Sequence, residues 1–152
     1  MKCLGAAGRP FLVTMGGTIM YKKILVPLDC SPADEVVIEH IMKLANLHQS
    51  HVILIRAEEE HPYGLHHDGV ARSKDYMESV KRRFEAASIR CEVVLAKGDP
   101  VQSILTNAET LGCDLIAMAT HGHGAFMDFL LGSVSSAVRH ATHIPVLLIR
   151  QP

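Results

Sequence analysis

From Lys23 onward, short apolar runs alternate with longer amphipathic stretches. Ile24-Leu25-Val26-Pro27-Leu28, residues 52–57, 91–96, 114–118 and 145–149 each read as a strand, because continuous apolar runs of this length suit strands covered on both faces. Ser31-Pro32-Ala33-Asp34 predicts a helix start, with Ser31 as N-cap, proline at the first helical position and an acidic first turn. That helix runs to about His48 and sets Val37, Ile41, Leu44 and Ala45 on one face. A polar stretch, 58–72, precedes a helix over about 73–87. Gly98-Asp99-Pro100 turns the chain and caps a helix over 101–111, which Gly112 stops. A last helix is expected over 133–141. Five strands with intervening helices imply one α/β domain built on an open, mostly parallel sheet with helices on both faces.

Composition agrees with that picture. A chain of 152 residues with 48% hydrophobic and 20% charged residues can bury a core without disulfide or metal staples. The net charge of −1 gives no electrostatic reason to expect nucleic acid or a membrane surface as partner. No run reaches the roughly 18 apolar residues of a spanning helix. Cys3, Cys30, Cys91 and Cys113 are scattered, with no Cys-x-x-Cys pair, and read as reduced thiols of a cytoplasmic protein.

Residues 1–20 stand apart as an N-terminal extension before a domain over 21–152. Gly8-Arg9-Pro10 interrupts the first apolar run too early for a secretory signal. Gly16-Gly17, encoded by two GGN codons shortly before Met20, resembles a ribosome-binding site read as protein. The expectation is that the native chain starts at Met20, the alternative being a genuine N-terminal arm. The intact mass of protein from its native source decides between them.

Candidate chemistry concentrates in Ala119-Thr120-His121-Gly122-His123-Gly124 and the following Leu131-Gly132-Ser133-Val134-Ser135. This segment joins an apolar strand to a helix. The first turn of a helix has N–H groups without intrahelical partners and a positive dipole end, so it suits an anion. Gly122 and Gly132 permit close backbone approach, and Ser133 and Ser135 bring hydroxyls. Two readings stand on these residues, a phosphate cradle and an ordinary glycine loop before a helix. In open parallel sheets ligands bind beyond the carboxyl ends of strands where the strand order reverses. If the first strand neighbours the fourth, Pro27-Leu28-Asp29 and 119–135 flank one crevice. Asp29 is then either an acceptor for a ribose hydroxyl or a polar turn residue.

Residues 24–31, the Gly98-Asp99-Pro100 turn, the His-Gly to Gly-Ser-Val-Ser segment and the closing Pro145-Val146-Leu147-Leu148-Ile149 together resemble the universal stress proteins, in order and spacing, over 21–152. The resemblance is to UspA-like members and implies a five-stranded parallel sheet of order 3-2-1-4-5 (adenine nucleotide alpha hydrolase-like), with homodimerisation through the last strand, 145–150. One branch of that family binds ATP with the signature Gly-x2-Gly-x9-Gly-Ser/Thr. Here Gly122, Gly132 and Ser133 supply its second half, while Ala119 occupies the place of its first glycine. A methyl is compatible with a close approach but disfavours positive φ.

Carried over residue by residue, the resemblance implies that Pro27 and Asp29 border adenine and ribose, and that Ala57 and Met118 line the adenine pocket. Ala119, His121, Gly122, His123, Gly132, Ser133, Val134 and Ser135 surround the phosphates of ATP, ADP or AMP with Mg²⁺, none of whose ligands need be protein side chains alone. Ala57 is smaller than the branched residue common there, and His123 replaces a common lysine or arginine. No lysine or arginine lies between Ala119 and Val138. A phosphoryl-transfer transition state therefore lacks a local cation, which favours binding over turnover. A cationic His123, or His121, would strengthen phosphate binding at acidic pH. The alternatives are a dimeric interaction module without nucleotide and a slow ATPase.

Other clusters point to less. His61, His66 and His67 with Asp68 have no standard metal spacing and read as a polar loop. Lys81-Arg82-Arg83 sits among Glu78 and Glu85 and reads as a solvated helix face.

Overall fold

The computed structural model describes residues 20–58, 67–120 and 132–150, with side chains in the second helix described from Ala71 on. Its elements are β1 (Lys23–Pro27), α1 (Ala33–His48), β2 (His51–Glu58), α2 (His67–Ala86), β3 (Cys91–Lys97), α3 (Pro100–Thr110), β4 (Leu115–Ala119), α4 (Ser133–Ala141) and β5 (Val146–Ile149). The sheet is parallel throughout, in the order β3-β2-β1-β4-β5.

Alternate residues of each strand face opposite ways, and the two faces carry separate cores. Ile24, Val26, Val52, Leu54, Leu115 and Ala117 pack against α1 and α2 through Val37, Ile41, Met77, Val80 and Phe84. Leu25, Ile53, Ile55, Ile116 and Met118 pack on the other face against Ile104, Ala108 and Val138 of α3 and α4. Ile24, Leu25 and Val26 are fully buried, as the central strand of a covered parallel sheet requires.

The ends of elements differ from expectation in instructive ways. α1 begins at Ala33 with Pro32 at the cap position and no side-chain cap bond. Ser31 is not the N-cap: its hydroxyl is buried and has no hydrogen-bond partner. α2 begins at His67 instead of near Ser73. Its first turns carry no apolar repeat, so hydrophobic periodicity under-reports its length. β4 starts at Leu115, one residue later than expected, just past Asp114. Its carboxylate accepts the Lys22 and Lys23 N–H groups at 2.8 and 2.9 Å, fastening the entry of β1 to that of β4.

Other local signals hold as read. The Asp99 side chain accepts the Gln102 N–H at 2.8 Å, capping α3. Gly112, at φ +64°, closes that helix in the left-handed conformation that glycine enters without a Cβ penalty, while the Cys113 N–H reaches back to the Ala108 carbonyl. Lys81 pairs with Glu85 and Arg83 with Glu35, so the basic triplet is a solvated helix face with acidic partners. Cys91 and Cys113 are buried, and burial pushes their thiols up to about 12 and about 11, so both stay protonated. Among the described residues, no helix is long and apolar enough to cross a membrane, and no cluster of His, Cys, Asp and Glu is placed to hold a metal. Residues 1–19, His61 and His66 lie outside the described residues, as does the side chain of His67.

Candidate nucleotide crevice

The strand order reverses between β1 and β4. Register pairs join Ile24 to Leu115 and Leu25 to Ile116, and the pairing ends there. Val26 and Pro27 on one side, and Ala117, Met118 and Ala119 on the other, run on past the paired stretch. The carboxyl ends of these two strands therefore stand at the topological switch point, where ligands of such sheets bind.

On the β1 side, carboxylates hold the wall. Past the strand, the Leu28 N–H donates to the Ile55 carbonyl at 2.9 Å, and the chain then turns at Cys30, whose φ is +63°. A non-glycine residue in that region is strained by roughly 1–2 kcal/mol. Compensation comes from Asp34, in the first turn of α1 and only 2% exposed. Its carboxylate accepts the Cys30 N–H at 2.9 Å, the Asp29 N–H at 3.3 Å and the Tyr76 hydroxyl of α2 at 3.1 Å. Asp29 in turn accepts the Ser31 N–H at 3.0 Å. Burial, and then the Asp29 charge, push the Asp34 carboxyl up to about 6, against the lowering effect of its donors. Burial and the Asp34 charge likewise push the Tyr76 phenol up.

On the β4 side, backbone does the same task. Thr120 N–H donates to the Ile149 carbonyl at 3.0 Å, and the Gly132 N–H donates to the Thr120 carbonyl at 2.7 Å. These bonds set the amino end of α4 directly against the carboxyl end of β4. A Cβ on Gly132 would stand 3.2 Å from the Thr120 oxygen and 3.6 Å from Ser135 Oγ, so glycine permits the close approach. Gly132 caps α4 without a side-chain bond. The Ser135 hydroxyl, buried, donates to the Gly132 carbonyl at 2.9 Å, whereas the Ser133 side chain is exposed. The N–H groups of Ser133, Val134 and Ser135 form the first turn, which no intrahelical carbonyl can satisfy.

The expected site residues fall into three groups. Met118 belongs to the core on the α3/α4 face; Pro27 follows Leu25, and Ala57 follows Ile53 and Ile55, at two-residue spacing onto that same face. Ser133, Val134 and Ser135 open α4, which packs on that face too. Ala119 ends β4, pairs with Ile149, and packs toward the opposite core with α1 and α2. It is not among the described residues with positive φ. His121, Gly122 and His123 lie outside the described residues. Asp34 and Tyr76 were not anticipated. Asp34 had the signal of an acidic first turn, but Tyr76 reaches it across 42 residues, which no local pattern reveals.

The geometry has close counterparts among known proteins. The profile of the universal stress protein family matches residues 20–150. A universal stress protein A homologue of Coxiella burnetii is 37% identical over 142 residues, covering 86% of this chain and 95% of the relative. The solved structure of a universal stress protein of Methanocaldococcus jannaschii superposes with a TM-score of 0.81 at 30% identity, covering 88% of this chain and 98% of that one. A third, from Archaeoglobus fulgidus and in complex with dAMP, shares the fold with a TM-score of 0.70 at 18% identity, over 86% and 98% of the two chains.

Proposed function

Because the chain belongs to the universal stress protein family, we propose that it binds an adenine nucleotide, ATP with Mg²⁺, at the crevice between β1 and β4 and acts as a regulatory protein. One observation carries the reading: Pro27, Ala57 and Met118 share the sheet face on which the first turn of α4 opens. An apolar face at one end and N–H groups without intrahelical partners at the other match an adenine and a phosphate chain. The dAMP complex of the A. fulgidus protein supports the same ligand class. In this reading Asp29 receives the ribose. Gly122, Gly132, Ser133 and Val134 surround the phosphates, with His121 and His123 beside them. Ser135 contributes its backbone N–H, since its hydroxyl proton is directed to Gly132.

The absence of lysine and arginine between Ala119 and Val138 favours holding ATP over cleaving it. Calorimetric titration with ATP and Mg²⁺ tests the reading. Saturable micromolar binding with ATP intact after long incubation is the expected result. No binding leaves the interaction-module reading, and steady release of phosphate would make the protein an ATPase.

Homodimerisation through β5 belongs to the same proposal. β5 is the outer strand of the sheet, and Val146, Leu147, Leu148 and Ile149 are only half-buried. A hydrophobic edge of this kind invites pairing with a second copy. Light scattering at micromolar concentration is expected to give twice the chain mass, and a monomer would refute it.

A further inference from the structure

We infer that Asp34 is a positioning residue for the nucleotide crevice, a buried latch that fixes the β1–α1 connection and makes its geometry depend on pH and on the seating of α2. The inference rests on the nucleotide reading and extends it to a residue that touches no ligand. Asp34 lies behind the connection, inside the first turn of α1, and its two oxygens gather three donors from two directions. Two of these are the backbone N–H groups of Asp29 and Cys30. The third, the Tyr76 hydroxyl, comes from α2 and ties the connection to the helix outside it.

Cys30 is held at φ +63° by this contact, and Asp29 is aimed by the backbone on either side of it. Loss of the Asp34 acceptor frees the strained turn to relax, and the ribose acceptor moves with it. Among the described residues, the groups facing this cluster are these. Asp29 and Tyr76 act on Asp34 directly. Arg56 of β2 and Ser73 of α2 face Cys30, and Glu35 of α1, paired with Arg83 of α2, acts on Tyr76.

Protonation of Asp34 converts one acceptor oxygen into a donor. The neighbouring Asp29 carboxylate is then the natural recipient of that proton's hydrogen bond, which draws it toward Asp34 and away from the crevice. Burial and the Asp29 charge bring this protonation up to near pH 6, within reach of an acidified cell interior. A cationic His123 would act in the opposite sense on the phosphates, so the informative quantity is the ratio of wild-type to variant affinity at each pH.

The test is titration of full-length wild type, Asp34→Asn and Tyr76→Phe with ATP and Mg²⁺ from pH 8 to pH 5, with the Cys30 amide followed by ¹H–¹⁵N NMR without nucleotide. At pH 8, Asp34→Asn is expected to bind about tenfold more weakly and Tyr76→Phe about threefold. The deficit of Asp34→Asn should close toward unity at pH 5, where the wild-type carboxyl is itself protonated. General damage to the fold would not close it. The wild-type Cys30 amide should titrate with a midpoint near 6, and that titration should vanish in Asp34→Asn. Affinities within twofold of wild type at every pH, or a deficit unchanged by pH, overturn the inference while leaving nucleotide binding intact. Failure of the wild type to bind at pH 8, with the Cys30 titration present, overturns the nucleotide reading and with it the role assigned to Asp34.

Discussion

The two connections that flank the crevice are built by opposite means. The β1–α1 connection is held by side chains: Asp34 and Asp29 satisfy backbone donors, and Tyr76 anchors them to α2. The β4–α4 junction is held by backbone, with Gly132 bonded to Thr120 and no side-chain cap on the helix. One wall therefore carries carboxylates, Asp29 half-buried and Asp34 buried behind it, and the other presents amide N–H groups. An anion is repelled by the first and welcomed by the second, whereas a hydroxyl-rich group is suited to the first. The contrast gives the crevice a polarity, and in the proposed function that polarity sets which way round a nucleotide lies.

The core on the α1/α2 face, against which Tyr76 also packs, gives the largest expected effect. Phe84 is fully buried in the core beneath α1 and α2, so Phe84→Ala should cost about 3–5 kcal/mol in chemical denaturation. Next comes the pH dependence of stability. The Asp34 carboxyl is raised from 3.8 to about 6, so the folded state holds that proton more tightly than the unfolded chain does. Its contribution is full below about pH 4 and is lost as pH rises through 6, on the order of 3 kcal/mol. Denaturation midpoints of Asp34→Asn should lack that slope, and an equal slope in both proteins would assign it to other groups.

The backbone-held wall should respond to bulk instead of charge. Gly132→Val places side-chain atoms against the Thr120 carbonyl and is expected to weaken ATP binding at least tenfold, about 1.4 kcal/mol, at any pH. Ala119→Gly should change affinity less than about threefold, under roughly 0.7 kcal/mol. Ala119 needs no positive φ, and it packs toward the α1/α2 face, away from Met118. A large gain on restoring glycine would show that the missing first glycine of the signature matters by more than this geometry allows.

The resemblance and the hydrophobic pattern together made the strand order and both cores legible, since runs such as Ile24-Leu25-Val26 admit little but a central buried strand. Proline, glycine and aspartate at Gly98-Asp99-Pro100 and Gly112 marked the ends of α3 because they act on adjacent backbone. The start of α1 was misread for the complementary reason. Ser31 has the right chemistry and spacing for a cap, yet it is its backbone carbonyl that takes the Asp34 N–H, while the Asp34 carboxylate turns back to the Asp29 and Cys30 N–H groups and to the Tyr76 hydroxyl from a distant helix. The first turns of α2 were missed because residues 67–72 carry no apolar repeat. Local rules reach local partners, and the β1 wall of the crevice depends on a long-range one.

The fastening of Lys22 and Lys23 to Asp114 has a consequence for how the chain comes into being. β1 emerges early in synthesis, yet one of its two neighbours is β4, and the Lys23–Asp114 contact spans 91 residues. At about 5–20 residues per second, roughly 5–20 s separate the two segments at the ribosome. Throughout that interval a strand with a fully buried apolar centre has one edge without its partner, and closing so long a loop is the slow kind of step in folding. Newly made chains are thus most open to aggregation before β4 appears, and a nascent-chain chaperone would find its binding segment in β1.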